Sequence, residues 1–225
     1  MKMILLGKAR LALAALALAG LAACGAPNAA LDSASVARNL PGTDGLEGVT
    51  PQAVLPKFRV ARIDVTVPRE LEVSEANRYY PGGDIVWRED PYGDRHEQVR
   101  QIVADGLMMG VQDMDGTHEV ILDVVVKRFH AVTEKARYTI GGVHAIQFEL
   151  TVFDAETGEM LRPTELIRAD FDALGGRAAI EAERQGITQK VRIKDQLARV
   201  IRDELTKEGG YVAEDLGILG AINQL

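Results

Sequence analysis

Ile146-Gln147-Phe148-Glu149-Leu150-Thr151-Val152 puts an apolar side chain at every even position and a polar one at every odd position. Side chains of a strand alternate between faces, so this stretch reads as a β-strand with one buried and one wet face, as in an antiparallel sheet. Val120–Val126 repeats the pattern: Val120, Leu122, Val124 and Val126 share one face, with Asp123 and Lys127 opposite. Asp154-Ala155-Glu156-Thr157-Gly158 has the composition of a hairpin loop, with glycine where a positive φ is needed. The strand it enters, Glu159 to Phe171, contains Pro163 and therefore belongs at an edge or a bulge.

Outward from these strands the periodicity changes. Phe58 to Val67 reads as a half-buried strand with Ala61, Ile63, Val65 and Val67 inward, ended by Pro68. Asp84 to Arg88 is a short extended run. Asp94 followed by Glu97 makes a capping-box start for a helix whose stripe is Val99, Ile102, Val103 and Leu107, reaching about Gly110. Thr188 caps a second helix with the stripe Ile193, Leu197, Val200, Ile201 and Leu205, ended by Gly209-Gly210. The expectation is an α+β fold, an antiparallel sheet of four to five strands with two helices packed on one face.

The 225 residues are 47% hydrophobic, 26% charged and 5% aromatic, with one cysteine and a formal charge of −7. Mean hydropathy is −0.03, which argues against a multi-pass membrane protein. The average conceals a segmented chain. Residues 1–23 hold Lys2, Lys8 and Arg10, an apolar Leu/Ala/Gly run from Leu11 to Leu21, and no acidic residue. That run is too short for the ~30 Å hydrocarbon core and has the layout of an export signal. Without these residues 26 basic groups become 23 against 33 acidic, a net of −10. Such a surface argues against nucleic acid as the main partner.

Leu21-Ala22-Ala23-Cys24 resembles a bacterial lipobox. The resemblance implies cleavage between Ala23 and Cys24, a diacylglyceryl group on the Cys24 thiol and a palmitate-type chain on the new amine. Two or more chains anchor stably where one does not. The only cysteine is thereby spent on the anchor, leaving no thiol to mispair in an oxidising envelope. Gly25 after the cysteine favours the outer membrane over the inner, by resemblance to enterobacterial sorting. The expected organisation is a signal peptide over 1–23, a lipidated Cys24 and flexible tether over 24–56, an α+β domain over 57–210 and a tail over 211–225 that packs back, stays disordered or docks a partner. As a coil the tether would span about 30 Å.

Chemistry-bearing motifs are sparse. Ser33, Ser35 and Ser74 are the only serines and none lies in a nucleophile elbow. His130 is in phase with Leu122, Val124 and Val126, and His144 with Ile146 and Phe148. If the strands pair with 130 opposite 144, two imidazoles lie side by side as a weak metal or sensing site. The segment Asp84–Arg95 concentrates the sole tryptophan with charged groups before a helix start. It reads either as an ion-paired corner, with Trp87 buried and Asp94 capping, or as a partner surface of Trp87, Arg88, Asp90, Tyr92 and Arg95. Asp90 and Asp94 are the one candidate carboxylate pair, for a hydrolase. Lys127–Tyr138 is locally basic, suited to anionic headgroups or glycan polymers or else a solvated hairpin tip. No catalytic residue and no cofactor is expected.

Three blocks, from Asp84-Ile-Val-Trp-Arg, from Arg128-Phe-His-Ala to His144, and Thr188-Gln-Lys-Val-Arg-Ile193, resemble an uncharacterised family of proteobacterial lipoproteins with a domain of unknown function over about 55–207. The resemblance brings no activity. The favoured reading is a lipid-anchored, periplasm-facing and non-enzymatic envelope lipoprotein that binds a protein or polymer partner. A sensing module built on the histidine pair and a carboxylate-pair hydrolase are the alternatives.

Overall fold

The computed structural model describes residues 57–217. Its elements are β1 (Phe58–Thr66), β2 (Ile85–Val86), α1 (Arg95–Val111), β3 (His118–His130), α2 (Glu134–Arg137), β4 (Gly142–Asp154), β5 (Met160–Arg168), β6 (Phe171–Ala173), α3 (Gly176–Arg184) and α4 (Gln189–Thr206). Ala23, Cys24 and the signal and tether expected before residue 57 lie outside the described residues, as do 218–225.

The fold is α+β, but the sheet is mixed. Strand order is β1-β3-β4-β5, with β2 on β3 and β6 on β4. β1 and β2 run parallel to β3, whereas β3-β4, β4-β5 and β4-β6 are antiparallel. The fully antiparallel expectation therefore fails at β1 and β2. Alternation reports a wet face but not strand direction, and α1 intervenes as the crossover that parallel neighbours need. β4 fills one edge of β3, so β1 and β2 lie end to end along the other.

The single strand expected over 159–171 is two pieces. At the break, the Ala169 amide donates to Ile146 O at 2.8 Å and Asp170 Oδ1 accepts the Ile146 amide at 2.8 Å. A side chain thus replaces one rung of the ladder. β5 with Pro163 is an edge strand, where a missing N–H costs least. The Asp154 loop forms as its composition implies: Oδ1 accepts the amides of Glu156 and Thr157, and Gly158 has φ 73°.

Bulges in β1 and β3 shift the phase of those strands. In β1 the register slips between Val60 and Arg62, so Ala61 is exposed while Phe58 and Val60 turn inward. In β3 it slips between Val126 and Arg128, after which Phe129 faces the core. One apolar core joins this sheet face to α1 and α4: Leu122, Phe148, Leu107, Leu197 and Ile201 are all within it. Asp94 and Thr188 cap the two helices as expected, accepting the amides of Glu97 and Val191. The helices touch at Gly106 and Gly110. A Cβ at Gly110 would stand 2.3 Å from Ala198 O and 2.5 Å from Ile201 Cγ2.

Candidate functional site

Beyond β3 the chain enters a short loop whose geometry is fixed by hydrogen bonds from residues far away in sequence. Thr133 caps α2 and donates its hydroxyl to Arg78 O at 2.7 Å. Asn77 Oδ1 accepts the Lys135 amide at 2.8 Å. Ser74 Oγ donates to Pro81 O at 2.7 Å, and His130 Nε2 contacts Gly83 O at 2.6 Å. That short contact makes Nε2–H the donor, since a carbonyl can only accept. Gly83 has φ 80°, and a Cβ there would meet Glu72 O at 2.9 Å. Together these bonds hold Tyr79-Tyr80-Pro81 against the α2 loop.

Between the two loops lies a cleft of about 80 Å³, lined by Tyr79, Tyr80, His130, Thr133, Ile140 and Val143 among others. Tyr80 is 68% and Ile140 74% exposed, large apolar groups left in water at a concave place. The Lys135 ammonium stands 4.8 Å from the Tyr79 ring centroid. Arg78 and Lys135 are exposed and have no carboxylate partner among the described residues. Tyr79-Tyr80-Pro81 reads in sequence as a mere irregular stretch; the signal that marks it is two adjacent tyrosines before a Gly-Gly turn.

The residues of 84–95 are differently employed. Trp87 is 0% exposed, packed edge-on to Phe129 at 5.9 Å, with its indole N–H donating to Asp90 Oδ2 at 2.8 Å. It is core and offers no face to a partner, because β2 draws it under α4. Arg88 pairs with Glu75 and Glu134, so its charge is already met. Buried Arg95 pairs with Glu75 and bonds Asp90 O and Pro91 O. Of the five candidate surface residues, Tyr92 alone is open to solvent. Arg137 of the basic loop is likewise held by Glu89 and Glu183.

Asp90 and Asp94 are each engaged by other groups, Asp90 by Lys190 and Trp87 and Asp94 by Arg69 and the Glu97 amide. Burial pushes the Asp90 carboxyl up, but hydrogen bonds from Lys190 and Trp87 outweigh it and hold it below the usual range. The Arg69 guanidinium and the Glu97 amide likewise hold Asp94 low. Neither is the raised carboxylic acid that general-acid work needs.

The histidine pair does not form. His130 pairs with Ala145, not His144, because of the bulge at Lys127. With a period of two, His144 then projects from the face opposite to His130. His144 lies 4.8 Å from Phe171, in a recess of about 10 Å³ with Gln189 and Arg192. Among the described residues no group of three or more His, Cys, Asp or Glu side chains converges on a point where an ion could be held.

Burial, with Arg128 adding repulsion, lowers His130 from 6.5 to about 4, and burial with Arg192 and Arg137 lowers His144 to about 3. Folded protein therefore binds fewer protons than unfolded protein below pH 6.5, and stability falls as pH drops through that window toward 4. Asp170, raised by burial, opposes this in the lower part of the window. The expected slope between pH 6.5 and 5 is about 1–2 kcal/mol per unit. Urea melts at pH 7, 6 and 5 measure it. The double variant His130→Gln/His144→Gln should flatten it, and an unchanged slope would assign the effect elsewhere.

A family model matches residues 58–221, from the first strand past the last helix. The chain belongs to DUF6778, a family of unknown function. Solved structures similar to this DUF6778 chain are remote. A candidate lipoprotein from Caulobacter crescentus shares 14% identity over 64% of this chain and 86% of its own, with a TM-score of 0.33. A DUF330 protein from Xanthomonas campestris shares 9% over 68% and 85%, with a TM-score of 0.39. PelC from Paraburkholderia phytofirmans, a dodecamer, shares 14% over 64% and 89%, with a TM-score of 0.25. No curated protein matches the DUF6778 chain. Among the described residues no helix is long and apolar enough to cross a membrane.

Proposed function

We propose that this DUF6778 protein is a lipid-anchored, non-enzymatic module of the bacterial envelope, facing the periplasm, that binds a protein or polymer partner in the tyrosine-rimmed cleft. Leu21-Ala22-Ala23-Cys24 supplies the anchor, with the outer membrane favoured. The observation that carries the binding role is the exposure of Tyr80 and Ile140 around a concave site. Exposed aromatic groups at a cleft are typical anchors of recognition. The candidate carboxylates are engaged in capping and ion pairs, which leaves recognition as the reading best supported.

Two measurements test this. Feeding cells a clickable fatty acid should label the wild type and leave Cys24→Ser unlabelled; an unlabelled wild type removes the anchor. Tetranitromethane footprinting tests the cleft. Tyr80 should nitrate more slowly in native envelopes than in the purified chain, while Tyr92, 87% exposed and outside the cleft, reacts equally in both. Equal rates at Tyr80 would leave the cleft without an occupant.

A further inference from the structure

We infer that the occupant of the cleft is an acidic polysaccharide, a sugar ring laid on Tyr80 and its carboxylates met by Arg78 and Lys135; this rests on the binding role proposed above. Four observations lead there.

The first is charge placement. With residues 1–23 removed the chain carries a net of −10, which opposes any polyanion over most of the surface, so an acidic chain could be held only where unpaired cations gather. Elsewhere the cations near this end are consumed internally: Arg88 by Glu75 and Glu134, Arg95 by Glu75, Arg137 by Glu89 and Glu183, Lys190 by Asp90. Among the described residues Arg78 and Lys135 pair with no carboxylate and belong to the two loops that wall the cleft, and Arg128, 3.4 Å from His130 Nδ1, is a third unpaired cation behind its floor.

The second is the shape of the apolar contact. Tyr79 and Tyr80 stand on one wall and Ile140 on the other. A flat aromatic face against the C–H face of a pyranose buries apolar surface while the sugar hydroxyls stay in water. A concave site suits single rings of a chain better than it suits a bilayer, which prefers a protruding tip.

The third is rigidity. Tyr79 is held between Lys135 above its ring and Thr139, whose hydroxyl lies 3.4 Å from the phenol oxygen. Hydrogen bonds at Ser74, Asn77, Thr133 and His130 fix the loop on both sides. Little order is lost when a ligand settles on such a wall.

The fourth is the neutrality of the floor. His130 stays neutral across the physiological range and keeps its Nε2–H on Gly83 O, so the floor adds no charge of its own.

The test is affinity electrophoresis of the full chain in a zwitterionic detergent, through gels containing polygalacturonate, dextran or polyglutamate. Polygalacturonate should retard the wild type, with dextran and polyglutamate at least about tenfold weaker. Tyr80→Ala and Lys135→Gln should each weaken retardation about tenfold, and Tyr80→Phe, which keeps the ring, should bind like the wild type. Added salt should weaken it as well. No retardation by polygalacturonate, equal retardation by polyglutamate, or wild-type behaviour of Tyr80→Ala would overturn the assignment. So would flotation with phosphatidylglycerol vesicles that depends on Tyr80 in the absence of polygalacturonate binding. If footprinting still protects Tyr80 in envelopes while these gels fail, only the ligand class falls. If Tyr80 is unprotected, the binding role falls with it.

Discussion

Trp87→Ala should cost about 3–5 kcal/mol of stability, the range for removing a large aromatic group from a core. The indole has no exposed surface, meets Phe129 edge-to-face and donates its N–H to Asp90. Its loss opens a cavity beneath α4 and strips a partner from a carboxylate that also holds Lys190. Trp87→Phe separates these effects: it keeps most of the apolar volume and loses the N–H, for about 1–2 kcal/mol. Urea melts followed by circular dichroism measure both, since the fluorescent probe is itself removed. A Trp87→Ala protein within 1 kcal/mol of wild type would contradict the buried placement.

Gly110→Ala is the second large effect, and its sign is the informative part. In an exposed helix interior that change stabilises by about 1 kcal/mol. Here the added methyl would meet Ala198 O and Ile201 Cγ2 at 2.3 and 2.5 Å, so α1 and α4 must separate. Overpacking of that kind costs about 3 kcal/mol. Arg202 Nε also donates to Gly110 O at 3.1 Å and would be displaced. A thermal melt compares Gly110→Ala with Gly186→Ala, where a Cβ meets nothing within 4 Å. At Gly186 the positive φ alone is penalised, a smaller loss. Equal losses would mean that the helices tolerate separation.

What could be read in advance divides along physical lines. The stripes of α1 and α4, their caps at Asp94 and Thr188, the hairpin at Asp154 and the edge position of Pro163 are local facts, set by neighbours in the chain, and all are visible in sequence. Strand direction is not local. β1 looks the same whether it lies parallel or antiparallel to β3, because its alternation describes only a wet face. Bulges are worse, since one extra residue at Lys127 reverses every side chain after it and sends His130 away from His144. Trp87 and its charged neighbours look alike as a recognition surface or as an ion-paired corner until Glu75, Glu134 and Lys190 arrive from elsewhere. The Tyr79-Tyr80 wall is not legible locally, because the groups that hold its loop, Thr133 and Lys135, are more than fifty residues away.

β3 has its two ends in different service. Phe58, just after the point where the chain enters the described structure, is in register with His118 at the start of β3, whereas His130 at its far end floors the cleft. Thirteen residues of strand put about 40 Å between them. A pull transmitted from residue 57 to an occupant of the cleft therefore runs along the strand axis. The ladder that joins β1 to β3, from Phe58 to Thr66, is loaded in shear, with its evenly spaced parallel bonds sharing the force rather than opening one after another. The parallel pairing makes the sheet a tension member, suited to the proposed anchoring before residue 57 and binding at the cleft.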